Sequence, residues 1–419
     1  MMNVLILLAG LAVYASYGIG GLVGLLGAAV VSYFTGLLIP RWKGAMWITV
    51  VAGALVLTAV KLQPITGISF AAPLGISYFA LRIISYNVDV YRGKYTPEKN
   101  FLHYCLYVTL LPHIYLGPIE RYDSFRIQLL QPRGLNWEDL SKGALRVLWG
   151  GFKKLAIASR AGVIVGTISA SVDEYRGAFA LFAMVMYSVQ LYADFSGGMD
   201  MVLGLCRMLG MTFHENFDAP YFSQSVQEFW RRWHMTLGGW LREYVYIPLG
   251  GNRKGKARKL VNTIVTFLVS GLWHGVHYLM WGFFNGVFVA VGEKLCTPWK
   301  KLNQLGTFLV ISFLWAFFVW PETMTALQMI GSVFTTFNYG ALFGAVLELG
   351  LNTGEWIVLA ASVTALWIYD CFRQRIRDWI DGLCPADRVA LMGALGLVIL
   401  IFGMYGIGFN AEEFIYSNF

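Results

Sequence analysis

Two histidines stand where an imidazole would be neutral and ready to accept a proton. His274 lies in GLWHGVHYLMWG, inside a stretch with no formal charge from Leu260 to Gly292, and His234 ends the run FWRRWH. An imidazole titrates near pH 6.5 when unperturbed, and apolar surroundings disfavour its charged form, so either side chain is a base for a hydroxyl proton. Such a base activates an alcohol toward a thioester carbonyl without a metal. Because the two lie far apart in the chain, only the fold can bring them together. Trp233 and Trp273 each precede one of these histidines and would wall the same cavity, or simply pack. The plainer alternative for a buried histidine is a closed hydrogen bond in a core. His103 and His113, which fall on different parts of one apolar segment, read as packing or polar-network residues.

Other chemistries lack their residues. LGGNRKGKARK departs from the phosphate-loop spacing, and no glycine-rich dinucleotide turn follows a strand pattern. His274 and His277 have no HExxH context or nearby carboxylate to complete a metal site, so no metal is expected. A GxSxG nucleophile elbow is missing as well. The five cysteines are scattered without a CxxC pair, which argues against a disulfide framework or a zinc site.

The elements that must position the histidines are membrane helices. The 419 residues are 57% hydrophobic and 13% charged, against about 25% charged in soluble domains. Uncharged runs cover Met1 to Pro40, Ala45 to Val60, Leu62 to Leu81, Phe101 to Ile119, Gly177 to Ala193, Leu260 to Gly292, Leu302 to Pro321 and Val389 to Ala411. A helix crosses the hydrocarbon core in about 20 residues, so about ten to thirteen transmembrane helices are expected. The first is a retained helix rather than a cleaved signal peptide, since no Lys or Arg precedes it. The net charge of +8 comes from short clusters flanking spans, such as RWK at Arg41 and RKGKARK at Arg253. That is the pattern of positive-inside anchoring, and nucleic acid is not an expected partner.

Two segments depart from simple spans. At about 100° per residue, Lys142, Arg146, Lys153 and Arg160 form one stripe, with Leu148, Phe152 and Leu155 away from it. This fits a helix lying along the membrane interface, or equally a basic-flanked span broken by Gly150 and Gly151. Further on, Asp194 and Asp200 sit among apolar and glycine residues, and the tract His214 to Gly255 mixes Arg231, Arg232 and other charges with large aromatics. Such a tract suits a re-entrant segment enclosed by protein, where ionisable groups are functional candidates. No internal repeat or soluble domain is visible, and residues 1–419 read as one polytopic domain with a motif-bearing core at about 73–286.

In order along the chain, PLGISYFALRIISYNVDVYRGK, LLPHIYLGPIERY, YADFSGGMDMVLG, ENFDAPY, FWRRWHMTLGGWLREYVYIPLGGNRKG and LWHGVHYLMWGFFNG resemble the motifs of the membrane-bound O-acyltransferases (MBOATs). The continuation YIPLGGNRKG resembles the bacterial alginate O-acetyltransferase AlgI branch rather than the DltB branch that serves teichoic-acid D-alanylation. Gly198 departs from the aromatic that AlgI-like chains tend to carry there. The resemblance implies an all-α integral membrane protein, a ring of helices with re-entrant and interfacial segments around a central tunnel. It implies His274 as the signature catalytic histidine and His234 as the second. Trp233, Trp273, Arg231, Arg232, Asp194 and Asp200 would surround the substrates.

The implied activity is transfer of an acyl group, acetyl foremost, from a cytoplasmic thioester such as acetyl-CoA. The acceptor would be an extracytoplasmic polysaccharide hydroxyl or a partner acetyltransferase that relays the group. Acetyl-CoA is then a co-substrate, no cofactor is tightly bound, and the site is the bacterial cytoplasmic membrane. DltB-like D-alanyl transfer is the alternative within the family. A non-catalytic transporter or scaffold is the alternative outside it, and would show paired broken helices in two matching halves.

Overall fold

The computed structural model describes residues 2–67, 72–131, 134–292 and 296–405. The end of the last uncharged run, beyond residue 405, lies outside the described residues. The described chain is helical almost throughout, and its β-structure is an isolated antiparallel bridge between Phe217 and Trp233.

Helices α1 (Ile19–Leu38), α2 (Met46–Thr66) and α3 (Ile76–Tyr91) pack together at the N-terminal side. Helix α4 (Trp137–Phe152) continues through a π-helical turn, Lys153–Ala158, into α5 (Ser159–Ala170). The 31-residue α6 (Ala178–Met208) runs through the middle of the molecule and is largely buried. Two short helices, α7 (Val226–Arg232) and α8 (Met235–Leu241), make up the polar tract before α9 (Gly255–His274) and α10 (Leu279–Val291). Helices α11 (Lys300–Leu314), α12 (Ala316–Val319), α13 (Thr353–Gly382) and α14 (Pro385–Phe402) complete the set used below.

Six described helical segments are long and apolar enough to cross a membrane, or seven if the bent pair Thr323–Thr335 and Tyr339–Glu348, which turns by 106°, counts as one span. The chain is an integral membrane protein. The count is lower than the about ten to thirteen expected from uncharged runs for a physical reason. Segments such as Met2–Ser16 and Val276–Val291 are apolar but short, and α3 has only 16 residues. Helix α14 keeps one buried residue, Arg388, and turns its apolar surface outward.

Helix α4 lies against α6 over most of its length. Within a membrane, lipid tails compete with apolar side chains, so close backbone approach and polar pairing must hold helices together. Both occur here. A Cβ on Gly150 would sit 2.4 Å from the Gly197 carbonyl oxygen, and one on Gly143 would sit 2.6 Å from that of Gly204. Gly150 is therefore a contact point and not a break. The basic stripe of this segment likewise turns inward: Arg146 binds Asp200 at 2.9 Å and Glu215 at 2.5 Å, while Lys153 binds Asp200 at 2.6 Å. Lys154, the next residue, reaches Asp194 at 2.5 Å. The wide π-helical turn lets two consecutive lysines address two carboxylates of α6. Lys142 pairs with Asp381 at 2.5 Å, and Arg160 is buried. The interfacial placement expected for this stripe is thus replaced by internal ion pairs.

Candidate active site

His234 is held by an unusual piece of backbone. Helix α7 starts at Ser225, whose hydroxyl accepts from the Glu228 N–H at 3.1 Å, and ends as Trp233 becomes extended. His234 then adopts φ 45° and ψ 53°, a left-handed conformation rare outside glycine, and α8 begins at once. The strained residue is fixed on both sides. The Phe217 to Trp233 bridge and the Asp218 N–H donating to the Arg232 carbonyl at 2.9 Å hold the approach. On the exit side, the Met235 N–H donates to the Asn216 carbonyl at 3.0 Å. The Asn216 side-chain oxygen accepts from the Thr236 N–H at 2.9 Å and the Thr236 hydroxyl at 2.7 Å. Thr236 in turn accepts from the Ile119 N–H at 3.0 Å.

The His234 imidazole is 3% exposed, and neither of its ring nitrogens meets a hydrogen-bond partner among the described residues. Its ring packs edge-on against Phe195 at 4.9 Å between centroids. Strained backbone that surrounding structure over-determines is a mark of functional positions.

His274 is the last residue of α9, where Gly275 at φ 151° takes the chain into a tight return toward α10. The return is close-packed: a Cβ on Gly271 would meet the Tyr278 carbonyl oxygen at 2.5 Å. His274 is 6% exposed and ringed by aromatics, with Trp273 at 4.7 Å, Trp281 at 5.4 Å and Phe318 at 5.8 Å between ring centroids. Trp273 is anchored by donating its indole N–H to the Ser77 carbonyl on α3 at 3.2 Å, and it also lies 6.2 Å from His234. One indole thus contacts both imidazoles. Within electrostatic range of His274 are His234 and Lys61, the latter on α2. A buried pair of imidazoles beside aromatic walls can take a hydroxyl proton and hold a polarised oxygen by hydrogen bonding.

Near this centre is a small open cleft, whose lining includes Lys153, Tyr192, Asp200, Asn216, Asp370 and Arg377. Neither histidine lines it. Asn216 and Phe217 belong to its lining while also holding the His234 turn, the former through Thr236 and the latter through its ring 5.0 Å from Trp233.

A family model described as MBOAT, membrane-bound O-acyltransferase family, matches residues 77–336, more than half of the chain. The chain belongs to the membrane-bound O-acyltransferase family. Among relatives of this MBOAT family member, a probable alginate O-acetylase AlgI of Pseudomonas syringae pv. tomato is 35% identical, covering 77% of this chain and 63% of the relative. The probable alginate O-acetylase AlgI of Pseudomonas putida is 33% identical over 87% of this chain and 78% of the relative. A teichoic acid D-alanyltransferase of Streptococcus thermophilus is 29% identical over 60% and 64%. The chain therefore spans between about three fifths and four fifths of the length of these relatives.

In this MBOAT chain the residues singled out from sequence divide into two groups. His234, His274 and Trp273 come together as described. Trp233 is fully buried and packs with Phe217, Phe229 and Trp315, which makes it core to the α7 segment. Arg231 is exposed, and Arg232 pairs with Glu228 at 2.6 Å. Asp194 and Asp200 are the inward partners of Lys154 and of Lys153 with Arg146. They fix α4 on α6. His277 lies exposed beyond the break at Gly275. Among the described residues no group of three His, Cys, Asp or Glu side chains is arranged to hold a metal ion.

Sequence reasoning passed over Lys61, Asn216 and Thr236. Lys61 had a visible signal, as the lone charge between two long uncharged runs. Asn216 and Thr236 lie within the motifs ENFDAPY and FWRRWHMTLGGWLREYVYIPLGGNRKG, but nothing local marks their roles, which rest on contacts far along the chain.

Proposed function

We propose that this chain is an O-acyltransferase of the bacterial cytoplasmic membrane that moves an acetyl group from a cytoplasmic thioester such as acetyl-CoA toward an extracytoplasmic polysaccharide hydroxyl. The observation that carries this reading is the pair of buried imidazoles, His234 and His274, on one indole. In the reaction, His274 accepts the hydroxyl proton as the oxygen attacks the thioester carbonyl carbon. The carbon–sulfur bond then breaks, and the thiolate leaves and regains a proton from the imidazolium. His234, whose ring nitrogens have no partner among the described residues, donates or accepts a hydrogen bond to the reacting oxygens. The aromatic lining excludes water, which would otherwise hydrolyse the thioester.

Acetyl is favoured over D-alanyl because the relatives named for alginate O-acetylation are more similar, and over more of the chain, than the one named for teichoic acid D-alanylation. The donor reaches the histidines through a membrane tunnel of the kind expected for the family. An extracytoplasmic partner protein receives the group and completes transfer to the polymer.

The test uses host membrane vesicles that carry the full chain and retain its extracytoplasmic partner acetyltransferase, with radiolabelled acetyl-CoA or D-alanyl carrier protein as donor and the exopolysaccharide of the host strain as acceptor. Label entering from acetyl-CoA alone is expected. Label from the D-alanyl donor alone would move the assignment to the other branch, and label from neither would remove the enzymatic reading.

A further inference from the structure

We propose that Asn216 is a positioning residue for His234, setting the left-handed backbone that aims this imidazole; the inference rests on the catalytic role of His234 proposed above. A non-glycine side chain in this conformation crowds its own backbone. His234 must therefore be held there by its surroundings.

Asn216 supplies much of that hold from one buried residue. Its backbone carbonyl accepts from Met235, the residue immediately after His234. Its side-chain oxygen accepts twice from Thr236, through the N–H at 2.9 Å and the hydroxyl at 2.7 Å. These two amides belong to the first turn of α8, where N–H groups have no partner within the helix. Asn216 thus caps α8 from outside, because His234 stands at the cap position and its side chain caps nothing. The arrangement frees the imidazole from the usual duty of a cap residue. Its amide nitrogen faces the Met199 sulfur at 3.5 Å, a weak contact, so the oxygen is the functional end. Asn216 is 0% exposed yet contributes to the lining of the polar cleft, so it ties the cleft wall to the imidazole.

The experiment is a double-mutant cycle on the full chain in host membrane vesicles that retain the partner acetyltransferase, following initial transfer of label from acetyl-CoA to the host exopolysaccharide per mole of protein. Misplacing a reacting group by about 1 Å costs on the order of 100-fold, so Asn216→Ala is expected to lower kcat by about 10- to 100-fold with little change in KM for acetyl-CoA. In the His234→Ala background the same change should have little further effect, since residues acting as one unit are not additive. Asn216→Asp, which keeps the acceptor oxygens, should retain more activity than Asn216→Ala. If Asn216→Ala does not accumulate, Thr236→Val against Thr236→Ser carries the test: valine should lower kcat and serine should hold it.

An Asn216→Ala effect of equal size in both backgrounds would overturn the proposal. So would a wild-type rate in Asn216→Ala or, where that variant is not made, in Thr236→Val. A wild-type rate in His234→Ala would instead remove the role of His234 on which the inference rests.

Discussion

His234 and His274 meet the same side chain: the ring of Trp273 lies 6.2 Å from the first imidazole and 4.7 Å from the second. Trp273 itself is tied to α3 by its bond to Ser77. Three separate segments, α3, the α7–α8 junction and the end of α9, are thereby joined at one indole. Replacing Trp273 by Ala removes a buried aromatic and should destabilise the protein by about 3–5 kcal/mol. Trp273→Phe should preserve most of the packing but lose the anchor to Ser77. Its expected signature is normal abundance with reduced turnover, measured as label transferred per mole of protein. Normal turnover in Trp273→Phe would show that the indole anchor does not position the site.

The ion pairs between α4 and α6 should matter for folding rather than for chemistry. Asp200→Asn leaves Lys153, with a side chain 4% exposed, beside Arg146 without their shared carboxylate. Breaking a buried pair in this way costs about 3–5 kcal/mol. Thermal unfolding in detergent should show a markedly lower midpoint, whereas an unchanged midpoint would mean these charges are solvated.

The histidines were legible in the sequence because a charge-free stretch makes an imidazole conspicuous, and the long spans because hydropathy reports them directly. The direction of the Lys142 to Arg160 stripe was not. A row of cations has the same helical periodicity whether it faces phosphate headgroups or buried carboxylates, and only the packing of Gly150 on Gly197 decides between them. Asp194 and Asp200 were noticed for their unusual setting, yet their partners lie on α4, well removed in sequence. The role of Asn216 was hidden for the same reason: its place in ENFDAPY gives no sign that it will accept from Thr236.

The glycine contacts give a sharper folding test. A side chain at Gly150 meets the Gly197 carbonyl, while Gly166 has open space around its Cβ position. Gly150→Val should reduce accumulation in the membrane strongly, by at least the 1–3 kcal/mol typical of overpacking. Gly166→Val should leave abundance near normal. Equal abundance of the two variants, read by quantitative blotting, would contradict the close approach of these helices.

A pH dependence follows from the loop pair His214 and Glu120. The hydrogen bond that the His214 ring N–H donates to the Glu120 carboxylate at 2.8 Å raises the His214 pKa above its ordinary 6.5. Burial pushes Glu120 upward, but the bonds from His214 outweigh it and hold the carboxyl below its ordinary 4.5. The histidine contribution is full below pH 6.5 and fades as pH rises through its raised value, whereas the carboxylate contribution is full above pH 4.5 and fades as pH falls through its lowered value. The pair therefore stabilises most in mild acid. With His214 well exposed, the effect should be about 0.2–1 kcal/mol. His214→Ala should lower the unfolding midpoint more at about pH 6 than at about pH 9. The same loss at both would mean the pair carries no charge-assisted bond.

The partner requirement is open to reconstitution. With the purified chain in liposomes, acetyl-CoA on one side and the host polymer on the other, little polymer O-acetylation is expected until an extracytoplasmic acetyltransferase is added. A contact of about 800 Å² per partner would suffice for that complex. Efficient acetylation by the chain alone would contradict the relay and leave the acyltransferase assignment standing.

The central claim is that His274 accepts the hydroxyl proton, and its most direct test is the transfer rate of His274→Ala measured together with its abundance. The account predicts normal amounts of folded protein in the membrane with label transfer from acetyl-CoA reduced by about 100- to 10,000-fold, the range of general base catalysis. A His274→Ala protein that accumulates normally and transfers acetyl at the wild-type rate would contradict it.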